Sequence, residues 1–92
     1  MHALLRTNTF IRAARRLLKK HPDLAEPLET ALRRLETDPH HPSLKTHKLK
    51  GELRDSWACS AGYDLRIVFR FARHAGKPAV LLQTLGTHEE VY

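Results

Sequence analysis

Between Leu65 and Phe71 the chain alternates, with Leu65, Ile67, Phe69 and Phe71 set against Arg66, Val68 and Arg70. That is the period of a strand with one buried face, and it predicts a strand over 64–72. A second strand is predicted over 57–60, starting at Trp57, and a third over 79–85, where "AVLLQTL" is apolar on both faces and calls for a central or covered position. Gly62 and the "HAGKP" segment supply the intervening hairpin turns.

Upstream the period lengthens. Phe10, Ala13, Ala14, Leu17 and Leu18 recur at helical spacing, with Arg12, Arg15, Arg16, Lys19 and Lys20 on the opposite side. Asn8 or Thr9 is the expected cap, and His21-Pro22 the stop, because a residue before proline leaves the helical region. Leu24, Leu28, Ala31, Leu32 and Leu35 form a second stripe, with Asp23 as expected cap and Asp38-Pro39 as its end. Pro27 is compatible with that helix only in its first turn. Ala3–Arg6 is a candidate edge strand, and "DPHHPSLKTHKLKG" reads as an irregular loop leading into a short strand. The resulting order is β-α-α-β-β-β: an α+β fold, expected as an antiparallel twisted sheet with an N-terminal helical hairpin on one face.

Ninety-two residues suit a single domain spanning 1–92, and 41% apolar residues suffice for a folded core. Sixteen Lys and Arg against ten Asp and Glu give a net charge of +6, which favours a polyanionic partner, RNA, DNA or an acidic protein. The single cysteine, Cys59, excludes an internal disulfide. No stretch approaches the roughly 20 apolar residues of a membrane helix, so the cytoplasm is the expected compartment and no membrane partner is expected.

If the strands pair antiparallel, His47, Asp64, Arg66, His88 and Tyr92 can converge on one basic concave side, with Trp57 or Ser60 beside them. Such a set suits RNA cleavage in which the substrate supplies its own nucleophile, the 2′-hydroxyl. The protein then needs a base for that proton, an acid for the departing 5′-oxygen and fixed cations for the phosphorane charge. Imidazole, with an ordinary pKa of about 6.5, suits both proton transfers. Asp64 can orient one imidazole, Arg66 and the lysines can hold phosphate, and Trp57 or Tyr92 can stack on a base. Plainer roles stay open from spacing alone: Trp57 as core, Arg66 and Arg70 as a solvated sheet face, Asp64 as a turn residue. His2, His21 and His74 are assigned no role, and His40, His41 and His47 lack the helical spacing of a zinc site, so no metal or other cofactor is expected.

The ordered segments "HKLKG", "DLRIVF" and "GTHEEVY", together with "FIRAARRLLKK" and "DPHHPSLKT", make the chain resemble the RelE/YafQ superfamily of bacterial type II toxins, and its YafQ-like branch in particular. The resemblance covers nearly the whole chain. It implies an mRNA-cleaving endoribonuclease, acting in several members on the ribosome, without a metal. It also implies neutralisation by an antitoxin in a hetero-oligomeric complex. Carried over by position, His88, His47, Asp64 and Tyr92 become the catalytic set, with Arg66, Lys48, Lys50 and Trp57 as RNA or phosphate contacts. The chain departs from the branch at Ser60, where a further histidine is common, and at Leu65, where an aromatic follows the aspartate. The related ParE branch, which acts by binding a protein target such as DNA gyrase, is the non-enzymatic alternative, as is a decayed toxin that keeps only antitoxin binding.

Overall fold

The computed structural model describes residues 1–51 and 55–91. In chain order they form strand β1 (Ala3–Arg6), helix α1 (Asn8–Lys20), helix α2 (Ala25–Thr37), strands β2 (His47–Lys48), β3 (Trp57–Ala61), β4 (Leu65–His74) and β5 (Lys77–Thr87), and a terminal turn of helix, α3 (His88–Val91). The strands make one sheet in the order β1-β5-β4-β3-β2, and the fold is α+β as expected. All neighbours are antiparallel except β1, which runs parallel to β5 with Ala3 opposite Ala79 and Arg6 opposite Leu82. The sheet is therefore mixed, and β5 lies between β1 and β4.

The cap of α1 is Thr7, one residue earlier than the sequence suggested. Its side chain accepts from the Phe10 N–H at 3.1 Å, while its hydroxyl donates to the Leu82 carbonyl at 2.8 Å. Thr7 was hidden because only the sheet register shows that it must also bind β5. Asp23 does not cap α2 either; a short 3-10 turn over Pro22–Leu24 precedes that helix, and no side chain caps it. Pro27 does fall in the first turn, where its missing N–H costs nothing.

Cross-strand register divides the sheet into two faces. Trp57 opposite Phe69, Cys59 opposite Ile67 and Ala61 opposite Leu65 belong to the helix-covered face, where Phe10, Leu17, Leu28 and Leu35 complete the core. Ala58 opposite Val68 and Ser60 opposite Arg66 belong to the other. A bulge leaves Gln83 without a partner, since Phe69 pairs with Leu82 and Val68 with Thr84. Its Oε1 accepts from the Oγ of Ser56 at 2.8 Å, which satisfies a serine only 1% exposed. The β4–β5 hairpin closes on Ala75-Gly76, both with positive φ (52° and 76°), the two-residue turn that matches strand twist.

Candidate active site at the end of the sheet

Asp64 ends the turn between β3 and β4, and His88 follows β5 immediately. Leu65 lies opposite Thr87, so the register brings the two together. The backbone N–H of His88 donates to the Asp64 carbonyl at 3.1 Å and lies 3.3 Å from its Oδ1. Both side chains stand exposed on the rim of the sheet.

Arg66 is the next outward residue of β4. It lies opposite Ser60 on β3 and Gly86 on β5, and its Nη1 donates to the carbonyls of Tyr63 (3.3 Å) and Leu65 (3.1 Å). That fixes the guanidinium over the turn carrying Asp64. His47 sits on the same open face, in the row of Ala58, Val68 and Thr84. Three strand spacings separate β2 from β5, about 14 Å between backbones. The Nδ1 of His47 lies 3.0 Å from the Lys45 carbonyl, which can only accept. A neutral ring must then carry its proton on Nδ1 and present Nε2 as the basic nitrogen.

Other residues expected at the site lie elsewhere. Trp57 is half-buried on the helix-covered face, edge-on to Phe71 (5.2 Å between ring centres) and to His40 (5.8 Å). It cannot share a face with Ser60, because the residues are an odd number of positions apart. Lys48 pairs with Trp57 and so belongs to that face too, although it is exposed, while Lys50 is exposed beyond β2. Tyr92 lies outside the described residues. Among the described residues no group of three or more His, Cys, Asp and Glu side chains is arranged to hold a metal ion, and no helix is long and apolar enough to cross a membrane.

Two rim residues went unremarked in the sequence. Tyr63, next to Asp64, is 99% exposed, which leaves a whole aromatic ring in water beside the site. Glu90 accepts the Thr87 N–H on Oε1 at 2.8 Å, and this bond holds its carboxyl below the ordinary carboxylate range, helped by the charges of Lys20 and Arg16. The spacing Thr87-x-x-Glu90 is that of a capping box and was the available signal. A cleft of about 780 Å³ separates this turn from the C-terminal end of α1, with Arg16, Lys20 and His21 on its far wall.

No family model matches the chain, and no curated protein matches it in sequence. Solved structures do. YafQ from E. coli strain BL21(DE3) superposes with a TM-score of 0.78 at 15% identity, covering 100% of this chain and 99% of that one. The E. coli DinJ–YafQ toxin–antitoxin complex gives 0.76 at 17% identity, covering 99% and 97%. A metal-bound toxin from Helicobacter pylori gives 0.74 at 28% identity, covering 100% of both chains. The parallel first strand, the helical hairpin and the three-strand meander ending at His88 are thus the RelE/YafQ-type toxin fold, and this chain carries it.

Proposed function

We propose that the chain is the toxin of a type II toxin–antitoxin pair and an endoribonuclease that cleaves mRNA. The observation that supports this most is the docking of His88 on Asp64, one residue from Leu65 and in line with Arg66 on the open face. In this reading the 2′-oxygen attacks the adjacent phosphorus while the bond to the 5′-oxygen breaks. The products are a 2′,3′-cyclic phosphate and a 5′-hydroxyl. His47, with Nε2 basic, takes the 2′-hydroxyl proton, and His88 delivers one to the leaving 5′-oxygen. Arg66 stabilises the charge that builds on the phosphoryl oxygens. Lys48 and Lys50 contribute to the field that draws RNA in, rather than to the reacting phosphate. Tyr63 takes the stacking role, and Tyr92 remains a proposed member of the site.

The partners in this reading are mRNA, on the ribosome or free, and an antitoxin whose acidic segment complements the +6 charge. Cytoplasmic action follows from that substrate. Mapping mRNA 5′ ends after induction tests the reading. Wild type gives new 5′-hydroxyl ends and growth arrest, and His88→Ala gives neither while staying folded. A soluble, fully toxic His88→Ala protein would overturn it.

Ser60, at a position where an imidazole is expected, favours one second reading, a toxin fold that has lost catalysis and keeps antitoxin binding. Inhibition of DNA supercoiling without RNA cleavage would point instead to a ParE-like protein-binding toxin.

A further inference from the structure

The short helix that carries His88 has four residues, too few to hold its shape unaided. Something outside its own hydrogen bonds must fix it. One anchor is the Asp64 contact to the His88 N–H. The other is Glu90. Its carboxylate reaches back to the N–H of Thr87, the residue just before His88, so the turn is closed on both sides of the histidine.

The packing beneath is equally specific. A Cβ placed on Gly86 would lie 3.1 Å from the Cβ of Glu90 and 3.2 Å from its Oε1. The turn therefore folds down closely onto the last residues of β5, and Gly86 is the residue that lets it approach. Across the cleft the charges of Arg16 and Lys20 favour the ionised form of the same carboxylate.

We propose that Glu90 is a positioning residue for His88, its carboxylate locking the terminal turn so that the imidazole is presented at a fixed place on the rim. This rests on the reading of His88 as the general acid. Proton transfer tolerates little displacement, and a shift of about 1 Å can cost on the order of 100-fold in rate. Glu90 touches neither the phosphate nor the reacting atoms in this scheme, so its effect falls on kcat rather than on RNA affinity.

The test compares four variants on a short RNA in steady-state cleavage, with folding checked by circular dichroism. Glu90→Ala is expected to lower kcat by about 10- to 100-fold with KM within about twofold. Glu90→Gln keeps an oxygen that accepts the Thr87 N–H and is expected to recover most of the rate. Glu89→Ala removes the same charge from the neighbouring residue and is expected to match wild type. His88→Ala is the reference for the underlying reading. If Glu90→Ala cleaves as fast as Glu89→Ala while His88→Ala is dead, the positioning role is overturned and the reading stands. If His88→Ala cleaves normally, the reading itself falls. If Glu90→Gln is as slow as Glu90→Ala, the bond to Thr87 is not what matters and the proposal fails. Amide exchange gives an answer without activity: in Glu90→Ala the Thr87 and His88 amides should exchange faster, while those of Ile67 and Leu82 keep their protection. Unchanged exchange at Thr87 and His88 would overturn the proposal.

Discussion

His88 and Asp64 are 24 residues apart in sequence and joined through the backbone, the N–H of one meeting both the carbonyl and the carboxylate of the other. Substitution can separate the two halves of that contact. Asp64→Asn keeps an acceptor at the carboxylate position and removes the charge, whereas Asp64→Ala removes both. Asp64→Ala should lower RNA cleavage by about 10- to 100-fold and Asp64→Asn by clearly less, measured in single turnovers at saturating protein. Equal losses would mean that charge alone is at stake.

Ser60 lies directly opposite Arg66 on the open face. A hydroxyl there cannot serve as a general acid or base near neutral pH, whereas an imidazole could. Ser60→His should therefore raise the cleavage rate, with general acid–base catalysis worth on the order of 100-fold when well placed. His47→Ala should lower it in the wild-type background. An unchanged rate in Ser60→His would show that His47 and His88 already supply both transfers.

Trp57 is held on the helix-covered face, and Tyr63 presents a fully exposed aromatic ring on the rim. Stacking on a base is worth about 1–3 kcal/mol, so Tyr63→Ala should raise the Kd for RNA by roughly 5- to 150-fold. Tyr63→Phe keeps the ring and should behave as wild type. Titration by fluorescence anisotropy with a labelled RNA would decide it.

Gly86 is buried beneath the terminal turn, and a Cβ there would meet the Cβ of Glu90 at 3.1 Å, so the turn would have to move by a few tenths of an ångström to admit it. Gly86→Ala should cost about 1–3 kcal/mol, lowering the melting temperature by several degrees, and should impair cleavage as well. Gly76→Ala serves as a contrast. Nothing lies within 4 Å of its Cβ, so only the strain of its positive φ is felt, and cleavage should be unaffected.

Burial pushes the Cys59 thiol up to about 12 from its usual 9.0, against a smaller opposing pull from Arg66. Folded protein should therefore resist alkylation at pH 8 and react only once unfolded. Above pH 9 the unfolded chain releases the thiol proton while the folded chain keeps it, so stability falls from there to about pH 12. Chemical denaturation should show the wild type losing stability relative to Cys59→Ala across that window, and parallel curves would contradict the shift.

Much of this arrangement was written locally. The alternation from Leu65 to Phe71 and the helical stripes at Phe10–Leu18 and Leu24–Leu35 each depend on one element and its own burial, and each appears where the periods put it. What was not legible depends on partners distant in sequence. That β1 lies parallel to β5 requires knowing where both helices go, and Thr7 is recognisable as a cap only once Leu82 is beside it. Parity alone could have moved Trp57 off the face of Ser60. The Gln83 bulge could not have been foreseen, because the residue its side chain bonds, the buried Ser56, is 27 positions away in sequence. Among the candidate site residues, His47, Asp64, Arg66 and His88 are drawn toward one face or rim by the register, whereas Trp57 and Lys48 are not.

The parallel pairing of the first strand with the last also sets an order in time. Residues 3–6 pair in the sheet with residues 79–82, so more than seventy residues must be synthesised after β1 before the sheet can close. A nascent chain stalled before β5 has two helices with no floor beneath them and no seat for its first residues. The open face that holds His47, Arg66 and the approach to His88 is likewise completed only once β5 has been made.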